Sequence, residues 1–379
     1  MAAKDFRRIP RVPRLEYLVE LLRGVREGYN PEDVRRRAQR IRDDFEAEKA
    51  RALGRQNPRT VSGAITVSEA EKMAVQMGLA RRRGAQWSLT LDGEALLAHC
   101  PEDPRGFLGD DARRLLVPRI WQTYPRFGET LLTIRAQPDA TIDLPMRSGK
   151  GAFREAIEDK YGLTYDLLTF IMVREMGTQL ELLNWYVLEE TTPRRQRVYL
   201  VADIVLLGEV AREPVATNSA GSRSPLWQDL ASAAAGAVSD PDLVTPCDVG
   251  GLRATVRARG DIVVDAVGDC AVIRPRADVD LGAFEQALWE VYLRKVDFRP
   301  LIPALYPELR NEVCLRLKIP DRLFDRVLLD LIDHPRRLRI FPSGGELGYA
   351  SNLAHLHKYL PPKTARGHFM VYLKVDRVT

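Results

Sequence analysis

Residues 68–97 read SEAEKMAVQMGLARRRGAQWSLTLDGEALL, and this stretch limits the fold more than any other. Ser68 with Glu71 three positions on is a capping-box start for a helix. Ala70, Met73, Ala74 and Met77 follow at spacings of three and four, so that helix has one apolar face. Gly78 ends it, because glycine enters the left-handed region without a Cβ penalty. Two short strands over 79–82 and 86–89, turned through Gly84, and a second helix over 92–98 complete the unit.

This order of helix, basic two-stranded ribbon and then Leu89-Thr90-Leu91-Asp92-Gly93-Glu94-Ala95-Leu96-Leu97 resembles the winged-helix DNA-binding family. The resemblance implies that the first helix, which exposes Lys72 and Gln76, is a recognition helix. It implies also that the hairpin bearing Arg81, Arg82 and Arg83 is the wing. Winged helices serve as protein-interaction modules too, so the fold alone leaves function open.

Similar order recurs downstream. Helices over 152–161 and 165–176, the latter closed by Gly177, precede a long hairpin with Arg194, Arg195 and Arg197 at or just beyond its bend. From residue 281, Phe284, Leu288 and Val291 mark a helical face, and 307–317, a turn at Ile319-Pro320, and 321–332 read as helix-turn-helix. In the last helix Leu323, Phe324, Val327, Leu328 and Leu331 form the inner stripe, which turns Arg322, Asp325 and Arg326 outward. Arg336 and Arg337 lead into a strand–turn–strand wing over 336–341 and 347–350, and a final strand covers 368–375.

The connecting segments complete the outline. A basic arm over 1–12 precedes a short helix over 13–22 and a longer one over 31–53, capped by Asn30 with Pro31 at its first position. Residues 112–136 read as two helices interrupted at Pro118 and Pro125. The stretch 208–225 is a Gly/Ser/Ala/Pro linker, and 226–238 is an alanine-rich helix. Strands over 252–259, 261–267 and 270–274 form a meander that must pack on a neighbour. The expected fold is mainly α with short β-hairpins (α+β): three winged-helix units in tandem plus a small β meander. The divisions fall at 1–100, 101–207, 208–280 and 281–379.

Composition narrows function. At 379 residues, 45% hydrophobic and 29% charged, the chain is of the globular kind. No apolar run approaches the ~20 residues a membrane span needs, and the N-terminus lacks a signal-peptide core, so a cytoplasmic protein with no membrane partner is expected. Cys100, Cys247, Cys270 and Cys314 lie far apart without a C-x-x-C, which points to reduced thiols rather than a disulfide frame or zinc site. The net charge of +5 is concentrated in residues 1–60, which hold 16 Lys and Arg against 10 Asp and Glu.

No constellation for catalysis, metal or cofactor stands out. His355-Leu356-His357 lacks further ligands, Glu158-Asp159-Lys160 lies in a helical pattern, and Arg147-Ser148-Gly149-Lys150-Gly151 lacks the leading glycine and the Ser/Thr of a P-loop. A string of winged helices resembles the recognition portion of modular restriction endonucleases and the DNA-reading subunits of bacterial defence or mobile-element systems. That resemblance implies a non-catalytic, duplex-DNA-binding or DNA-sensing subunit with an enzymatic protein partner. The alternative is an adaptor that holds a helicase, nuclease or ATPase.

Overall fold

The computed structural model describes residues 8–12, 14–52, 67–102, 108–145, parts of 155–161, 167–188, 195–206, 262–267, 270–275, 279–344 and 362–378. Among them are ten α-helices and four small antiparallel sheets, a mixed α+β architecture. The arm up to residue 7, the 208–225 linker, the 226–238 helix, the 252–259 strand, Arg194, the 147–151 loop and the 355–357 histidines lie outside the described residues.

The first region is built around α1 (Leu15–Arg26), nine of whose twelve residues are buried, so it is a core helix and not a surface one. It packs against α2 (Pro31–Ala52), α3 (Val67–Gln76) and the second strand of the pair β1 (Ala80–Arg83) and β2 (Gln86–Leu89), and against α4 (Leu91–Ala98). α1 continues four residues beyond the expected end at Leu22. Gly24 does not stop it: a Cβ there would collide with Val34, so this glycine lets α1 and α2 approach closely. Asn30 caps α2 as expected, its Oδ1 accepting from the Glu32 N–H at 3.0 Å.

Gly78 (φ +68°) closes α3, as its position in the sequence implied. The helix starts at Val67, however, so Ser68 lies inside it and Glu71 is not half of a capping box. Its carboxylate instead accepts from the Tyr29 hydroxyl. The Leu-Thr-x-x-Gly motif has a physical basis here. Thr90 caps α4 by accepting from the Gly93 N–H at 3.1 Å, and its hydroxyl is 2.7 Å from the Gly78 carbonyl. A Cβ on Gly93 would strike the Leu79 carbonyl, so only glycine lets α4 sit on the mouth of the hairpin.

In the second region α5 (Asp110–Thr123) passes through Pro118 unbroken, with the break at Tyr124 before α6 (Pro125–Arg135). Pro118 is half-buried and Arg114, whose carbonyl loses its helical partner, is exposed, so water can satisfy that oxygen. After α6 come β3 (Thr141–Pro145), helical residues within 155–161, α7 (Leu167–Gln179), β4 (Leu183–Leu188) and β5 (Arg195–Leu200), with sheet order β3-β5-β4. Gly177 does not end α7. A Cβ there would meet Leu183 within 2.8 Å, and the chain turns instead at Glu181 (φ +56°).

The hairpin's second run splits after Leu200. β6 (Asp203–Leu206) leaves for another sheet with β7 (Ile262–Val267) and β8 (Cys270–Pro275), in the order β6-β8-β7. The expected pair of strands at 261–267 and 270–274 is present, and among the described residues β6 of the second region joins it beside β8. α5 packs against β7.

The last region runs α8 (Leu281–Lys295), β9 (Ala304–Leu305), α9 (Tyr306–Leu317), α10 (Asp321–Asp333), β10 (Leu338–Gly344) and β11 (Met370–Arg377). Asp280 caps α8 by accepting from the Ala283 N–H at 2.9 Å. Lys318 (φ +52°) closes α9, and Pro320 starts α10 at the expected turn. β10 pairs with β11, Leu338 opposite Arg377, and the expected strand over 347–350 lies outside the described residues. Sheet order is β10-β11-β9, so this region repeats the second one: helix, strand, helix, helix, strand, strand, with the last strand central.

One apolar core runs continuously from Ile9 to Val272 through the first two regions, and a second fills the last region around Phe284, Tyr306 and Phe324. Tyr186, Tyr199 and Val201 form a small cluster against which Leu315 of α9 packs.

Candidate nucleic-acid interface

The first hairpin is a two-stranded ladder with Arg81 opposite Ser88, Arg82 opposite Trp87 and Arg83 opposite Gln86. With no third strand beside it among the described residues, β1 leaves all three arginines exposed. Among the described residues none of the three has a carboxylate partner. Arg82 Nε donates to the Gly84 carbonyl at 2.9 Å, and its guanidinium lies 5.5 Å from the Trp87 ring centroid. Trp87 in turn meets Tyr29, centroids 5.0 Å apart. Burial, and then the hydrogen bond to Glu71, push the Tyr29 phenol well above its ordinary range, so it stays a donor.

α3 offers less than its sequence suggested. Lys72 is exposed but shares its charge with Glu69 at 3.4 Å. Gln76 accepts from the buried Tyr124 hydroxyl at 2.9 Å, which ties its amide to the core. The cationic face of α2 is largely neutralised: Arg35 pairs with Glu32, Arg36 with Asp33 and Arg37 with Glu27. Such pairs describe a solvated helix surface.

In the second hairpin Arg195 is half-buried, with the Asp143 carbonyl at 3.4 Å. Arg197 grips both oxygens of Asp143 at 2.8 Å and faces the Tyr186 hydroxyl at 3.4 Å. The Asp143 carboxylate raises the guanidinium pKa further above its already high range. This arginine belongs to the sheet.

In the last region the first turn of α10 faces protein. Asp321 is buried and accepts from Asn184 Nδ2 at 2.7 Å, and the same nitrogen lies 3.0 Å from the Tyr199 oxygen. Asp325 does not face outward as the apolar stripe implied. It accepts from the fully buried Arg310 at 3.0 Å and from the Tyr306 hydroxyl. Burial pushes the Asp325 carboxyl up to about 6, against the pull of Arg310. Lys318 Nζ donates to the Asp139 carbonyl at 2.9 Å, so the turn between α9 and α10 is fastened to the second region as well.

Arg322 is half-buried, while Arg326, Arg336 and Arg337 are exposed. The backbone N–H groups of Arg337 and Leu338 donate to buried Glu285 at 2.8 and 3.1 Å, which fixes the start of β10. The strand alternation then exposes Arg339 and Phe341, with Lys374 across the ladder from Phe341. Arg339 and Lys374 were missed in the sequence. The signal was present in the alternation of Leu338 and Ile340 with Arg339 and Phe341, but it carries meaning only once β11 is known to be the partner.

Among the described residues no group of three or more His, Cys, Asp and Glu side chains is placed to hold a metal ion. Nor is any helix there long and apolar enough to cross a membrane. Burial pushes the Cys100 thiol up to about 11 and so away from the nucleophilic thiolate. What the exposed hairpins can do chemically is bind polyanions. Neither a family model, nor a curated protein, nor a solved structure matches this chain.

Proposed function

We propose that this chain is a non-catalytic subunit that binds duplex DNA through the hairpins of winged-helix units, the chemistry being supplied by an enzymatic partner. The observation that carries the reading is the first hairpin, where three consecutive exposed arginines stand without a carboxylate among the described residues. Arginines so placed along a wing suit phosphate contacts, which position a protein on the duplex without reading its sequence. The repeated helix–strand–helix–helix–strand–strand order of the second and last regions supports the winged-helix assignment. Exposed Arg336, Arg337, Arg339 and Lys374 add positive charge on the β10–β11 pair, where Asp376 lies across the ladder from Arg339.

The helices are the weaker readers. Gln76 is tied to Tyr124, and Asp321 and Asp325 at the start of α10 are committed to protein partners. Those contacts are all within this chain, so they withdraw the first turn of α10 from DNA without pointing to a partner, and the second reading remains an adaptor that holds a helicase, nuclease or ATPase. Titration of a labelled duplex at several salt concentrations tests the first. We expect log K to fall linearly with log salt, with a slope of about −0.9 per phosphate contact. A flat dependence, or no binding at low salt, leaves the adaptor.

A further inference from the structure

The aromatic rings of the chain divide by what already covers them. Trp87 meets Tyr29 and Arg82, Trp121 meets Phe127, Trp185 meets Arg174, and Trp289 meets Tyr292 and Arg377. Phe341 and Tyr372 make no such contact among the described residues, and both stand on the sheet of the last region.

That sheet has one covered face and one open face. Leu338 and Ile340 of β10 and Leu373 and Val375 of β11 are buried in the core with the helices. The pleat puts their chain neighbours on the other side. The ladder sets Phe341 directly opposite Lys374, Arg339 opposite Asp376 and Ser343 opposite Tyr372, so these six share the outer face. Phe341 is 43% exposed, Arg339, Ser343 and Lys374 are exposed, and Tyr372 and Asp376 are half-buried. Tyr372 is the diagonal neighbour of Phe341, within reach of the same ligand. Neither Arg339 nor Lys374 has an ion pair among the described residues, and Asp376 accepts from the Arg377 N–H at 2.9 Å.

A phenylalanine flanked by Arg339 and Ser343 and faced by Lys374 is not the contiguous apolar patch that a protein partner covers. A duplex offers it nothing either, since paired bases show only their edges. Unpaired bases show their faces, and an aromatic side chain on an open sheet stacks them while cations meet the phosphates. We infer that the outer face of the β10-β11-β9 sheet takes single-stranded DNA, with bases stacked on Phe341 and Tyr372 and phosphates on Lys374 and Arg339. The inference rests on the reading that this chain binds DNA, and adds a second site, in a different region, for a different form of it.

The test titrates the full chain with a labelled oligodeoxythymidylate of about 12 nucleotides, a length one such site spans, and with a blunt duplex. We expect the oligonucleotide to bind, and Phe341→Ala to weaken it about tenfold, the loss of one stacked base, with duplex affinity unchanged. Phe341→Leu separates stacking from mere apolar contact: it should weaken binding as Phe341→Ala does, whereas Phe341→Tyr should retain it. Lys374→Ala should make the salt dependence of oligonucleotide binding shallower by about 0.7, one phosphate on a single strand. Should Phe341→Ala not fold, Phe341→Leu carries the test. Binding of the duplex but not the oligonucleotide overturns this inference and leaves the duplex reading, and binding of the oligonucleotide alone does the reverse. Undiminished oligonucleotide affinity in folded Phe341→Leu overturns the inference. So does a dimer that Phe341→Ala dissociates with no loss of oligonucleotide affinity, which assigns the face to a second copy of this chain. Absence of binding to either DNA overturns both.

Discussion

The hairpins β1–β2 and β4–β5 each follow a helix, each contain a tryptophan and each carry arginines near the bend, yet their arginines have opposite fates. β5 is the central strand of three, so Arg197 has Asp143 across one ladder and Tyr186 across the other. Among the described residues β1 has a single neighbour, and the residues opposite Arg81, Arg82 and Arg83 are Ser88, Trp87 and Gln86. An arginine becomes structural or available according to whether a third strand brings it a carboxylate. The glycines before the two hairpins, Gly78 and Gly177, divide in the same way. Gly78 is a helix stop at positive φ, whereas Gly177 is a helical residue kept small by Leu183.

The contrast between committed and available arginines is sharpest at Arg310, which is fully buried, and Asp325→Ala tests that extreme. Removing one partner of a buried pair leaves an uncompensated charge and costs about 3–5 kcal/mol. We expect a large drop in the denaturant midpoint on urea unfolding, and a change below about 1 kcal/mol would show that the pair does not hold the last region.

At the available extreme, replacing Arg81, Arg82 and Arg83 together by alanine should leave stability within about 0.5 kcal/mol of the wild type. The slope of log K against log salt should become shallower by about 2–3 if all three meet phosphate. A triple variant that unfolds would place these arginines with Arg197 rather than opposite it.

Asp143→Ala should free Arg197 and make the second hairpin resemble the first. The pair is bidentate but about one-third exposed on the arginine side, so the expected loss is about 1 kcal/mol, read from the shift in thermal midpoint. The reverse exchange is Ser88→Asp, which places a carboxylate across the ladder from Arg81. Its effect on stability should be small, within about 0.5 kcal/mol. Its duplex affinity should fall, because Arg81 then has an internal partner; unchanged affinity would remove Arg81 from the interface.

A further test of the buried extreme concerns pH. Burial raises the Asp325 pKa to about 6, above the ~3.9 of an unfolded aspartate, so the folded state binds more protons at this site between those values. Its contribution to stability is therefore present in full below about pH 4 and is lost as pH rises through about 6. The difference in thermal midpoint between wild type and Asp325→Asn, followed from pH 4 to 7, should change in that window and be flat above it.

The sequence by itself determined most of the local structure, because caps, stops and apolar spacing act within a few residues. The α3–hairpin–α4 order, the turn at Ile319-Pro320 and the stripe from Leu323 to Leu331 were legible for that reason. Exposure of Arg81, Arg82 and Arg83 was legible too, since a short isolated ribbon has nowhere to bury three guanidiniums. What only the tertiary structure decided was which strand lies beside which. That choice sent β6 to a separate sheet, paired β10 with β11, and set Asp143 against Arg197 across 54 residues of chain. It also set Asp321 against Asn184 across 137 residues, and turned Asp325 inward to Arg310 although helical spacing alone points it to solvent. Periodicity reports which side of an element is apolar. Whether a charge on the remaining side finds a buried partner depends on the long-range packing of segments distant in sequence, and no local pattern encodes that.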